Sequence, residues 1–220
     1  MKQSEPSRRP IAARNTAWAA ATARWLVSGG LRPNTISVFS SVFALGGGVS
    51  FWLAGQSQTA LGWILCMAGA IAGMQLRLLC NLFDGMVAIE GGFKTKSGEV
   101  FNELPDRFSD AFIFVGAGYA AAREFPFLPM LGWLCALLAV TTAYVRAMGA
   151  AAGSSQQFCG PMAKQQRMAV LTVAALIAGT APWVPQLRGV LPLVLGFVAL
   201  GSLITVFRRT SRVIRELEAK

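Results

Sequence analysis

Apolar runs that approach the width of a bilayer recur along this 220-residue chain, separated only by short polar stretches, and they leave few folds open to it. A chain that is 54% apolar and 14% charged, with a mean hydropathy of +0.51, has too little polar surface for a soluble domain of its size. The pattern predicts an all-α integral membrane protein with six transmembrane helices, over 36–54, 60–88, 98–122, 127–152, 167–181 and 190–207. The fifth is the weakest of the six, because Pro182 and Pro185 cut it short. Leu31 to Thr35 read as a break and a helix start, with Pro33 at the first turn. Gly91 and Gly92 end the second span.

Ahead of these spans, residues 11–27 carry Ile11, Trp18, Ala21, Trp25 and Leu26 among Arg14 and Arg24, which suits an interfacial amphipathic helix on anionic lipid. Nothing there has the form of a secretory signal. The expected organisation is a cytoplasmic tail and interfacial helix over 1–32, one six-helix membrane domain over 33–207, and a basic cytoplasmic tail over 208–220. Six basic residues precede the first span, two follow the second, two follow the fourth and five follow the sixth, whereas the opposite side receives only Arg123 and Arg188. By the positive-inside rule both termini face the cytoplasm, as at the inner membrane of a bacterium. The same distribution explains the formal charge of +10 without nucleic acid as a partner, since the cations gather at membrane edges. With no histidine and no CxxC pair, a zinc site or a Ser-His or Cys-His device is excluded. Cys66, Cys80, Cys135 and Cys159 read as membrane-buried thiols.

Six of the ten carboxylates fall between Asn81 and Asp110. A carboxylate inside a membrane helix costs about 2.5 to 3.5 kcal/mol at the bilayer centre, so this concentration calls for a function or a partner. At a helical period Asn81, Asp84 and Ala88 fall within about 60° of one another on the second span, with Arg77 on the same face. On the third, Gly98, Asn102, Asp106 and Asp110 advance by about 40° per step, and Glu99 and Glu103 flank Asp106. Two such faces meeting could hold Mg²⁺ or Mn²⁺, which take oxygen ligands and can bridge a diphosphate. Gly85 and Ala88 leave room for a ligand to approach the backbone. The plainer readings are Asp84 paired with Arg77, Asp106 paired with Arg107 or a basic loop residue, and Glu103 and Asp110 at a wet cavity edge. Gly85 and Gly98 could equally be packing positions.

The run Asn81-x-x-Asp84-Gly85-x-x-Ala88, followed after Ile89 and eight further residues by Gly98-x-x-x-Asn102-x-x-x-Asp106, resembles the signature of the CDP-alcohol phosphatidyltransferase family. It departs where Asn81 and Asn102 stand for the first and third aspartates and Ile89 for an arginine. Pro33-Asn34-x-x-Ser37 also resembles the family's entry to its first membrane helix. The resemblance implies transfer of a phosphatidyl group from CDP-diacylglycerol to an alcohol with release of CMP, a divalent metal, and a homodimer. It assigns metal contacts to Asn81, Asp84, Asn102 and Asp106, with Asp106 as ligand or general base. Glu99, Glu103 and Asp110 are candidates to restore the charge that the asparagines lack. Ala143 to Ala147 and Gly160 with Lys164 to Arg167 resemble elements of members that use a phosphorylated polyol such as glycerol 3-phosphate or inositol phosphate. That makes Arg146, Lys164 and Arg167, with Gly85, Ala88 and Gly98, the expected substrate-binding residues. The alternatives are a catalytically impaired relative that binds CDP-lipid or nucleotide, and an unrelated six-helix transporter.

Overall fold

A computed structural model describes residues 16–93 and 97–220, except for the side chain of Glu99. Among these residues the secondary structure is helical: α1 (Ala17–Ser28), α2 (Pro33–Gln56), α3 (Ala60–Glu90), α4 (Gly98–Ala120), α5 (Leu128–Ala151), α6 (Lys164–Gly179) and α7 (Val190–Glu218), with a 3₁₀ turn at Pro185–Gly189. Local chemistry sets several of these ends. Pro33 takes the first turn of α2, where its missing N–H removes nothing. Thr59 caps α3 by accepting from the Gly62 N–H at 3.1 Å. Gly92 leaves α3 at φ 64°, a backbone state in which a side chain is strained.

The helices close into a ring in the order α3, α2, α4, α5, α7, α6 and back to α3. Its centre is a continuous apolar core that includes Phe51, Trp63, Met74, Phe114, Leu128 and Leu195. Small residues bring α2 and α4 into backbone contact: a Cβ on Gly116 would lie 2.2 Å from the Gly48 carbonyl oxygen, and one on Gly48 would lie 2.3 Å from that of Phe112. Dispersion between close backbones replaces side-chain interdigitation at such crossings. Buried polar side chains fasten the other walls, with Trp63 Nε1 donating to Ala178 O at 2.8 Å across α3 and α6.

A helix stands at each of the six expected spans, and among the described residues four segments are long and apolar enough to cross a bilayer: Pro33–Gln56, Ala60–Glu90, Leu128–Ala151 and Pro185–Glu218. Of the other two, α4 carries Glu103, Asp106, Arg107 and Asp110 along its N-terminal and middle turns. At 16 residues α6 reaches about 24 Å, short of a hydrocarbon core of about 30 Å.

The C-terminal segment departs from expectation. Instead of a tail after residue 207, α7 continues to Glu218. Arg209 is buried there, donating to Cys159 O at 2.9 Å and Thr142 O at 2.7 Å. The expected leader helix is present over Ala17–Ser28, while Ile11 and Arg14 lie outside the described residues. It sets Ala19 and Ala23 against a cluster with Leu82, Phe83, Met86 and Val87 of α3. Trp18 and Trp25 point outward, 52% and 70% exposed.

Candidate active site

Ionisable side chains of α3, α4 and α6 converge at one end of the ring. Arg77 on α3, Asp106 and Asp110 one turn apart on α4, and Arg167 on α6 are all buried, with Lys164 half-buried at the first residue of α6. Arg77 Nη2 lies 2.5 Å from Asp110 Oδ1 and 3.7 Å from Asp106 Oδ1. Arg167 Nη2 takes the second oxygen of Asp110 at 2.7 Å. Its Nη1 donates to Thr142 Oγ1 at 3.2 Å and Met162 O at 3.1 Å. Asp110 is therefore held from both sides, the arrangement that offsets the desolvation of a buried carboxylate.

Asp106 sits differently. Its Oδ2 accepts from Lys164 Nζ at 2.6 Å, while Oδ1 is buried and has no hydrogen-bond partner. Asp84, also buried, accepts at Oδ2 from Ser37 Oγ on α2 at 2.9 Å, and it feels the charges of both Lys164 and Asp106. The two signature aspartates thus face one locality, with an ammonium beside them.

The remaining expected residues are distributed around this centre. Asn81 is half-buried and donates through Nδ2 to Arg77 O at 3.1 Å. Asn102 is exposed one turn outward from Asp106, and Gly85, Ala88 and Gly98 are half-buried. Ile89, where the family signature has arginine, is 59% exposed. Glu103 forms short ion pairs with both Arg107 and Arg146. The Arg146 guanidinium also stacks 5.3 Å from the centre of the Phe158 ring. Arg167, expected at the mouth, is instead 2% exposed and committed to the interior. Neither Glu103 nor Asp110 is a spare acid: each spends its charge on two cations.

Sequence reading passed over two features. Ser37 holds Asp84 and had a signal, the Pro-Asn-x-x-Ser start of the first span. The loop over 153–163, which delivers Lys164, is latched by Glu216 on α7: Glu216 accepts from Ser154 Oγ at 2.8 Å, Ser155 N at 2.7 Å, Ser155 Oγ at 2.8 Å and Gln157 Nε2 at 2.9 Å. Nothing local marks a glutamate 60 residues away as their partner.

Among the described residues no three His, Cys, Asp or Glu side chains form a closed metal site. A magnesium-type ion, however, needs only one or two carboxylates when it keeps its waters or gains substrate phosphates. Asp84 and the unpartnered Oδ1 of Asp106 fit that partial donor set.

No protein-family profile matches the chain. Over 197 residues it is 27% identical to phosphatidylinositol phosphate synthase of Streptomyces avermitilis, covering 88% of this chain and 77% of that one. It is 30% identical over 190 residues to an uncharacterized protein of Aquifex aeolicus, covering 86% and 85%. The fold matches that of Mycobacterium tuberculosis phosphatidylinositol phosphate synthase crystallised with CDP-DAG bound, with a TM-score of 0.73, 20% identity, and coverage of 90% of this chain and 94% of that one. The same enzyme has been solved in complex with manganese and citrate, at a TM-score of 0.72 and 21% identity over 89% of this chain and 88% of that one. The chain therefore shares the fold of phosphatidylinositol phosphate synthase. Its four apolar spans and bacterial relatives support a membrane location.

Proposed function

We propose that this protein transfers the phosphatidyl group of CDP-diacylglycerol to an alcohol and releases CMP, with a phosphorylated polyol such as glycerol 3-phosphate or inositol phosphate as acceptor. The observation that carries this reading is that buried Asp106 pairs with Lys164 through one oxygen and accepts no hydrogen bond at the other, with buried Asp84 within electrostatic reach of both. Relatives named phosphatidylinositol phosphate synthase support the acceptor class.

Asp84 and Asp106 would hold Mg²⁺ or Mn²⁺, with the side-chain carbonyls of Asn81 and Asn102 as neutral contributors. Such an ion neutralises the diphosphate and the departing phosphate when bound. Ser37 fixes the Asp84 carboxylate by hydrogen bonding to it. Gly85, Ala88 and Gly98 leave the backbone open to the cytidine diphosphate. Asp106 accepts the proton of the acceptor hydroxyl as its oxygen bonds to the phosphatidyl phosphorus. The bond from that phosphorus to the CMP oxygen breaks, and CMP leaves with the electron pair. Arg146 and Lys164 are the cations placed to receive an acceptor phosphate. Arg167 acts from behind, holding Asp110 and the Met162 carbonyl.

In this reading all six ring helices cross the membrane, with the polar face of α4 and the short α6 shielded by their neighbours. Both termini and the site face the cytoplasm of a bacterial inner membrane, with Trp18 and Trp25 of α1 in the interface. A homodimer is part of the same proposal. A second reading, a relative that binds CDP-lipid without turning it over, is favoured by Asn81 and Asn102 together with the full pairing of Asp110.

The test is CMP release by the purified protein in detergent from CDP-diacylglycerol with Mn²⁺ or Mg²⁺, using glycerol 3-phosphate, inositol phosphate, inositol and serine in turn. Release that depends on a phosphorylated acceptor is expected. Cytidine-nucleotide binding without release for any acceptor would establish the second reading.

A further inference from the structure

Asp84, Asp106 and Asp110 place three negative charges at the inner end of the site, and Arg77, Lys164 and Arg167 place three positive ones. The cluster is neutral as it stands. Two of its three cations are locked: Arg77 and Arg167 are buried guanidiniums held chiefly on Asp110, with Arg77 also 3.7 Å from Asp106 Oδ1. The third differs in kind. Lys164 is a compact ammonium, 26% exposed, that meets Asp106 at 2.6 Å and also acts on Asp84 and Asp110. An ammonium paired with one buried carboxylate and acting electrostatically on two more supplies positive charge where a metal ion would, with half the charge of a divalent ion.

Resting on the active-site reading above, we infer that Lys164 is a built-in cation of this centre and that the protein consequently binds one divalent ion rather than two. Asp84 and Asp106, whose Oδ1 accepts no hydrogen bond and has only Arg77 at 3.7 Å, would hold that ion, while Lys164 stays on Oδ2. Charge supports the count. One divalent ion takes the cluster from neutral to a charge of plus two, which a diphosphate can balance. A second would raise it to plus four, and among the described signature positions Asn81 and Asn102 offer it no charge. The asparagines and the lysine then belong together, because replacing carboxylates by amides and a metal ion by an ammonium preserves the balance.

Mn²⁺ binding to the detergent-solubilised full chain, with no lipid substrate present, tests this through loss of the free-ion electron paramagnetic resonance signal. One ion per chain is expected. Lys164→Met should tighten that ion at least about tenfold by removing a like charge, and Lys164→Arg should leave its affinity within about threefold. Asn81→Asp combined with Asn102→Asp should add a second ion. Two ions in the unaltered chain, no saturable binding, or an affinity indifferent to Lys164→Met would overturn the inference. If Lys164→Met does not yield folded protein, the counts for the unaltered chain and the double aspartate variant decide. Because no turnover is measured, a count of one can stand even if CMP release fails, and the reverse also holds.

Discussion

Asp106 and Asp110 sit one helical turn apart on α4, both buried, and their surroundings assign them opposite work. Asp110 has each oxygen on a different guanidinium, from α3 and from α6, so it ties three helices together. Asp106 has one oxygen on a half-buried lysine, and its other oxygen accepts no hydrogen bond, with only the distant Arg77 guanidinium at 3.7 Å. A carboxylate whose valences are filled by fixed cations is part of the frame. One with an open hydrogen-bonding valence beside a half-buried ammonium can take a new partner. The difference follows from depth: moving one turn inward along α4 replaces solvent-reachable Lys164 with Arg77 and Arg167, whose forks match a carboxylate geometrically.

Arg77→Met should sharpen this contrast most. It leaves Asp110 with one partner in a dry interior, and about 3 to 5 kcal/mol of stability should be lost, read as a fall in the thermal unfolding midpoint in detergent. Ser37→Ala removes a hydrogen bond to a charged group on the chemical side. CMP release should drop about tenfold while the unfolding midpoint stays nearly constant. Glu216→Gln loosens the loop that delivers Lys164. A severalfold rise in KM for the phosphorylated acceptor, with kcat little changed, is the expected kinetic signature. Glu103→Gln should matter least, within about twofold on release and under about 1 kcal/mol on stability, because its half-exposed carboxylate already serves Arg107 and Arg146. A large loss there would make Glu103 the substitute acid that the asparagines call for.

The helices and the two signature faces were legible in the sequence because both rest on periodicity, and a period of 3.6 places Arg77, Asn81 and Asp84 on one side without knowledge of any partner. What could not be read was how charges pair across helices: Arg77 passes over Asp84, on its own face, and meets Asp110. The same limit hid the partner of Arg167, which was expected to bind substrate and whose side chain instead turns inward onto Asp110. The end of α7 was misjudged because Arg208 to Arg215 look solvated by composition, whereas Arg209 finds two carbonyls in the loop and on α5. Length and composition mark only four spans among the described residues, because α4 is polar along its N-terminal and middle turns and α6 is short.

The division of labour on α4 is tested most directly by purifying Asp106→Asn and Asp110→Asn side by side and measuring CMP release together with the unfolding midpoint. Asp106→Asn should retain the midpoint of the unaltered protein and lose release by about a thousandfold. Asp110→Asn should lower the midpoint sharply, because two buried guanidiniums lose their shared anion. An Asp106→Asn protein that still releases CMP at the unaltered rate, or an Asp110→Asn protein as stable as its parent, would contradict the assignment.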